Sequence, residues 1–283
     1  SDISGSLRTP AHFCGAASLK PTHGWIPLDG HLPALEPWQE ALLAPGPLAR
    51  TAADLAVGWS ALTGRPVETR VPGALRVAVG ALDDPKLHPR CRAAVVRAEA
   101  ALAAAGARVE RGEILPVLAR AHDLWERILL ADGGDVLREA LEDGRPFNLP
   151  LELLRSRLGR SDRSSMLLVA LAILGARRPT ALEEIEVLRA SLAADLASLL
   201  GPERVLLLPV TPAPAHRHWS FFASLAVFRY IRLANVLGTP VATVPIVRGR
   251  SSSELPAGVQ IHGAAGCEDL VLAVGIEAAR ARA

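Results

Sequence analysis

"LRVAVGALDDPKLHPRCRAAVVRAEAALAAAGARVERGE", Leu75–Glu113, decides the fold class. Leu75 to Gly80 is a short apolar run bounded by Gly73 and Gly80, the pattern of a buried strand. The segment from His88 reads as a helix that ends at Gly106, and a second strand follows from Ala107. Strand, helix and strand at this spacing make a βαβ unit, which places the chain in the α/β class.

Working outward, Thr51 caps an apolar-periodic helix that runs through Leu62 and stops at Gly64. The Pro- and Gly-rich stretch before it, from His23 to Arg50, reads as irregular connection. Downstream, Pro116 to Leu200 (116–200) reads as successive helices broken at Gly133-Gly134, at Gly144 to Pro146 and at Arg178-Pro179. "RVLLLPVTPAP" (Arg204–Pro214) returns to a buried strand and a Pro-rich loop. A helix through Leu237, strands "VATVPIV" (Val241–Val247) and "AGVQIHG" (Ala257–Gly263), and a helix from Glu268 follow. The expected architecture is a mixed central sheet flanked by helices, with a helical insertion in the middle.

Half of the 283 residues are apolar and the formal charge is only +2, so the chain can bury a sizeable core and disorder is not expected. Positive charge is almost all Arg, the lysines being Lys20 and Lys86, and it is scattered among Asp and Glu. That distribution argues against a nucleic-acid partner. Cys14, Cys91 and Cys267 are odd in number and lack CxxC spacing, giving neither a disulfide framework nor a zinc site. The longest apolar run, Met166 to Ala176, is too short for a bilayer span, which takes about 20 residues. A cytoplasmic location and no membrane partner are therefore the default expectations.

The first residues offer a chemical reading beside a structural one. "SDISGS" (Ser1–Ser6) is a Gly/Ser-rich turn, which can place backbone N–H groups on one concave side, where they bind an anion or an oxyanion. The Ser6 hydroxyl sits beside such a turn and needs a partner base to act as a nucleophile. On spacing alone, a loop or a helix cap by Asp2 or Ser4 is the commoner explanation of such a run.

Ordered blocks decide between these. "SDISGSLRTPAHFCGAASLKPTHG" (Ser1–Gly24) resembles the motif of the amidase signature family, Gly-Ser/Thr-Asp-x-Gly-Gly-Ser-x-Arg-x-Pro-Ala followed by Cys-Gly and Lys-Pro-Thr. Asp2, Gly5, Ser6, Arg8, Pro10, Ala11, Cys14, Gly15, Lys20, Pro21 and Thr22 fall in register. "GPLARTAADLAVGWSALTG" (Gly46–Gly64), "LLLPVTPAPA" (Leu206–Ala215), "NVLGTPVATVPIV" (Asn235–Val247) and "LPAGVQIHGAAGCEDLVLAV" (Leu255–Val274) resemble later blocks of the same family.

The resemblance implies amide hydrolysis by a Ser–cis-Ser–Lys triad acting on a small, aryl or aliphatic carboxamide, with no cofactor or metal. Ser6 aligns with the acylating nucleophile, and the N–H groups of Ile3, Ser4, Gly5 and Ser6 align with the oxyanion hole. Asp2 and Arg8 are expected to pair and brace the loop. In the family the lysine and the bridging serine lie upstream of the nucleophile, so the chain is expected to be the C-terminal portion of a single amidase domain (1–283), inactive alone. Its expected partners are the amide substrate and the N-terminal segment of the same protein, with homodimerisation as an option. A glutaminase-like subunit of an aminoacyl-tRNA amidotransferase is the alternative within the fold. A non-catalytic binding or scaffold relative of the same fold is the alternative from a different function class, suggested by the missing base and by Ser4, which stands where the family usually has Gly and would be strained at a positive φ.

Other residues invite function and have plainer readings. His12 is expected to be a structural histidine, since no GxSxG elbow surrounds Ser6, and Cys14 to be buried and inert. His216 and His218 form an HxH pair with no third ligand cluster, so a loop pair is expected. Asp83-Asp84 reads as a solvated turn. Trp125, Phe147, Met166, Trp219, Phe221 and Phe222 are candidates for an acyl pocket.

Overall fold

The computed structural model describes residues 1–281 apart from 33, 133, 143–147, 164, 175–178, 218–224 and 250–253. Among them seven strands form one sheet: β1 (Ala17–Lys20), β2 (Leu48–Ala49), β3 (Arg76–Val79), β4 (Arg108–Arg111), β5 (Arg204–Pro209), β6 (Val241–Val247) and β7 (Ala257–His262). Their order is β2-β1-β6-β7-β5-β3-β4. β4, β3 and β5 are parallel, with Arg76 opposite both Arg108 and Arg204, and every pairing from β5 through β7, β6 and β1 to β2 is antiparallel. The sheet is mixed, as expected.

The helices are α1 (Arg8–Cys14), α2 (Pro37–Glu40), α3 (Ala52–Thr63), α4 (Pro89–Ala104), α5 (Leu115–Leu129), α6 (Asp135–Glu142), α7 (Leu149–Arg157), α8 (Ser165–Leu174), α9 (Leu182–Leu196), α10 (Arg232–Leu237) and α11 (Glu268–Ala278). Local chemistry explains the βαβ unit. His88 Nδ1 accepts the Arg90 N–H at 3.1 Å and Pro89 opens α4, where its missing N–H costs nothing. Cys91, Ala94, Val95, Ala98 and Leu102 then form one buried stripe at helical spacing. α3 begins where Thr51 Oγ1 accepts the Asp54 N–H at 3.1 Å and ends at Gly64, whose φ is 68°.

Four short elements depart from the expectation drawn from sequence. The stretch read as irregular contains α2, closed by a Glu36–Gln39 capping box, and the two-residue edge strand β2. All four residues of β1 are buried, so it lacks the alternation that marks a half-exposed strand. α1 was hidden for another reason: its seven residues include Pro10 and two aromatic rings and show no apolar period.

Between β4 and β5 the described elements are the helices α5 to α9. Leu118, Leu124 and Ile128 of α5 and Ile185, Leu192 and Leu196 of α9 join the main core. Leu141, Leu168 and Leu171, from α6 and α8, form a separate small cluster. The helical middle is thus partly continuous with the core of the sheet.

The sheet has two unlike faces. Ala242, Val244 and Ile261 pack toward Gly275 of α11, an apolar contact. On the opposite side of β6 and β7, Thr243 lies opposite Gln260, and Gln260 accepts a hydrogen bond from Arg8 of α1 at 3.2 Å. This polar face supports the N-terminal loop.

Candidate active site

Asp2 and Arg8 are both fully buried and form an ion pair at 3.0 Å. Burial alone would starve both charges of solvation, and the loop compensates through geometry. Every Arg8 N–H has an acceptor: Nε donates to Asp2 Oδ2, Nη1 to Ile231 O and Gln260 Oε1, and Nη2 to Asp2 Oδ1 and Asn235 Oδ1. Asp2 also accepts the Gly5 N–H at 2.8 Å, the Leu7 N–H at 3.2 Å and Asn235 Nδ2 at 2.9 Å. Burial pushes the Asp2 carboxyl upward, but Arg8 and the other donors outweigh it and hold it well below the usual carboxylate range.

This pair sets the direction of each peptide in the loop. In a trans peptide the C=O and N–H point opposite ways, so a donor that pins a carbonyl aims the next residue's N–H. Asp2 O accepts from Ala44 N and Asn235 Nδ2, both at 3.1 Å, which turns the Ile3 N–H the other way. Ile3 O accepts Trp125 Nε1–H at 2.6 Å, turning out the Ser4 N–H. Gly5 O accepts the Thr9 N–H at 2.8 Å, so the Ser6 N–H points out of the start of α1. Among the described residues Ile3, Ser4 and Ser6 N–H have no acceptor. Gly5 corrects the expectation of four such donors: its N–H faces inward and is committed to Asp2.

Ser6 is exposed on the turn that leads into α1. Gly5 precedes it at φ 93°, and a Cβ there would lie 2.4 Å from Ile231 Cγ2, so this position admits only glycine. Ser4 needs no such freedom, because the only non-glycine described with a positive φ is Ala81. The strain expected for Ser4 is therefore absent. Its Oγ accepts Arg232 Nε at 3.3 Å.

Arg232 is the least anticipated residue of the site. Its guanidinium lies 3.8 Å from the Trp125 ring centroid and 5.1 Å from that of Phe228, and Nη1 reaches Glu126 Oε1 at 3.1 Å and the His122 ring. Burial raises the Glu126 carboxyl, but the His122 hydrogen bond and the Arg232 charge outweigh it and hold Glu126 at about 2. Asn235 and Gln260 were also missed as individuals. Both stand in the C-terminal blocks quoted above, where a polar residue amid buried apolar neighbours is the available signal.

The remaining candidates separate clearly. His12 is buried, accepts the Gly258 N–H at Nδ1 (3.0 Å) and faces Ala213 O with Nε2 (3.3 Å), and burial lowers it to about 4. It is a neutral structural histidine. Cys14, expected buried, is exposed, since α1 ends there and Gly15 turns the chain at φ 67°. Asp83 is exposed, but Asp84 is buried and accepts Tyr230 Oη–H at 2.6 Å and Arg229 at 2.9 Å, so only half of that pair is a solvated turn. Lys20 is buried with Nζ donating to Pro21 O and Thr239 O; burial and the nearby Arg8 charge lower it to about 7. Lys86 is exposed. His218, Trp219, Phe221, Phe222, Phe147 and the Met166 side chain lie outside the described residues. Trp125, expected to line a pocket, binds the loop instead. No group of three His, Cys, Asp or Glu among the described residues is placed to hold a metal ion, and no described helix is long and apolar enough to cross a membrane.

Comparison with known proteins extends these observations. The model of the Amidase family matches residues 1–272. Fatty-acid amide hydrolase 2-A of Danio rerio is 29% identical over 287 residues, covering 92% of this chain and 52% of the relative. The 2-amino-5-chloromuconic acid deaminase of Comamonas testosteroni is 30% identical over 98% of this chain and 59% of its own length. A glutamyl-tRNA(Gln) amidotransferase subunit of Thermus thermophilus is 28% identical over 100% of this chain and 64% of the relative. The chain thus spans little more than half the length of the first two. In fold it is similar to a crystal structure of an amidase, with TM-score 0.70 at 23% identity over 98% of this chain and 60% of that one. It is likewise similar to 6-aminohexanoate cyclic dimer hydrolase, with TM-score 0.68 at 23% identity over 99% and 63%.

Proposed function

Because this chain belongs to the amidase family, we propose that it carries the nucleophile and oxyanion donors of an enzyme that hydrolyses carboxamides. The observation that carries this reading is the loop itself: an exposed Ser6 flanked by N–H groups whose peptide carbonyls are each held by a fixed donor. Donors held in advance stabilise a developing oxyanion without reorganising, and one such donor is worth about 10²–10³ in kcat.

In the proposed reaction Ser6 Oγ attacks the carbonyl carbon, and the oxygen becomes an oxyanion facing the Ile3, Ser4 and Ser6 N–H groups. The Ser6 proton passes through a bridging serine to a neutral lysine and then to the leaving nitrogen, as the C–N bond breaks and ammonia or an amine departs. Water cleaves the resulting ester by the same relay, releasing the acid. We assign that lysine and serine to a segment preceding Ser1. Lys20 is spent on two carbonyls, and the exposed Lys86 precedes α4. Asp2 and Arg8 brace the loop and touch no reacting atom.

The test is Ser6→Ala in the full-length protein, assayed against small aliphatic, aromatic and peptide amides and with a fluorophosphonate probe. Loss of turnover and labelling is expected; retention of either removes Ser6 from its role. The similarity to a glutamyl-tRNA(Gln) amidotransferase supports a second reading, a glutaminase-like subunit. It predicts that glutamine is the preferred amide and that hydrolysis rises when partner subunits are added.

A further inference from the structure

We propose that Trp125 and Arg232 are positioning residues for amide hydrolysis, forming a clamp that fixes the Ile3–Ser4 peptide with its N–H toward the attacked carbonyl. The inference rests on the reading of the loop above as the oxyanion site.

The peptide planes of the loop are tied to different parts of the fold. The Asp2 carbonyl is held by Ala44 and Asn235, and the Gly5 carbonyl by Thr9 within the first turn of α1. Both ties come from elements that also hold the Asp2–Arg8 pair. The Ile3–Ser4 plane is different: its carbonyl is held by the Trp125 indole, which comes from the helical middle of the chain. Trp125 is buried, and its N–H is the polar end of a ring that otherwise packs in the core.

Arg232 fixes the ring and the peptide together. Its planar guanidinium covers the indole at 3.8 Å while Nε donates to Ser4 Oγ, one residue beyond the carbonyl that the indole holds. The side chain of Ser4 thus gives this loop an anchor that a glycine at the same position lacks. Glu126 and His122, one turn apart on α5, hold the far edge of the guanidinium. The Arg232 charge is therefore matched by a carboxylate 3.1 Å away, and its part in the reaction is orientation rather than direct charge stabilisation.

Trp125→Phe removes the indole N–H and keeps an aromatic ring under Arg232. In the full-length protein it is expected to lower kcat roughly 10- to 100-fold, below the loss for a deleted oxyanion donor, with KM within about twofold; the melting temperature falls by a few degrees, because a buried ring shrinks and Ile3 O loses its donor. Affinity for a trifluoromethyl ketone, which forms a tetrahedral oxyanion on the nucleophile, should fall in parallel with kcat/KM, while a simple competitive amide analogue binds as before. Ser4→Ala, which deletes only the hydroxyl, should lower kcat several-fold in the same pattern, and it decides alone if Trp125→Phe fails to fold. Wild-type kcat in either folded variant, or a loss that falls equally on the ketone and the amide analogue, overturns the clamp. Ser6→Ala separates the two levels: if it keeps turnover, the reading of the loop fails; if it is dead and Trp125→Phe keeps wild-type kcat, only the clamp fails.

Discussion

Arg8→Met should be far more damaging than any exposed arginine substitution. The variant keeps an unbranched chain of similar length but removes all five donors, leaving the Asp2 carboxylate fully buried without its cation. It also strips an Arg8 donor from Ile231 O, Asn235 Oδ1 and Gln260 Oε1. Breaking one side of a buried ion pair costs about 3–5 kcal/mol, because the surviving charge has neither water nor its counterion. At about 2–4 °C per kcal/mol for a chain of this size, the melting temperature should drop by roughly 6–20 °C. Arg76→Met is the control: its pair with Glu110 at 3.2 Å is exposed on both sides, and such pairs are worth about 0–1 kcal/mol.

Thermal unfolding of both variants in the full-length protein, with and without added salt, measures the contrast. A pH series adds a sign. Without Arg8, the folded-state pKa of Asp2 rises relative to wild type, because burial is no longer opposed by the guanidinium, so the variant's deficit shrinks as pH falls and the carboxyl becomes neutral. An Arg8→Met protein that melts within about 4 °C of the Arg76→Met control would refute the reasoning, as would a deficit that does not shrink at low pH.

Gly5→Ala should destabilise by about 2–5 kcal/mol, combining the left-handed backbone penalty with the Cβ placed 2.4 Å from Ile231 Cγ2, and should abolish amide turnover; an unchanged denaturant midpoint would contradict it. Stability should also fall with acid. His12 is neutral in the fold at about 4, against 6.5 when free, and Glu126 is ionised to about 2, so their contributions are present at pH 7. That of His12 is lost between about 6.5 and 4, and that of Glu126 between about 4.5 and 2. Denaturant midpoints at pH 7, 5.5 and 4.5 should decline in wild type and decline less in His12→Gln, whose amide can keep both hydrogen bonds without gaining a charge; parallel declines would show that His12 does not contribute.

Much of this protein was legible in order along the chain. α3 and α4 announce themselves because their caps and apolar stripes are local, and the βαβ unit follows from spacing alone. The Ser1–Ser6 loop is legible as a composition and a motif, and so is the Asp2–Arg8 pair, six residues apart. β1, β2 and α1 were not, since short elements draw their stability from neighbours rather than from their own pattern.

The direction of each backbone donor belongs to the tertiary structure. An N–H points wherever the carbonyl across its peptide is not, and the carbonyls of Asp2 and Ile3 are held by Ala44, Asn235 and Trp125, some 40 to 230 residues away. Four amides in a row read alike in the sequence. Only the fold turns the Gly5 N–H inward to Asp2 and leaves those of Ile3, Ser4 and Ser6 without an acceptor among the described residues, because only the fold brings those distant donors to the loop.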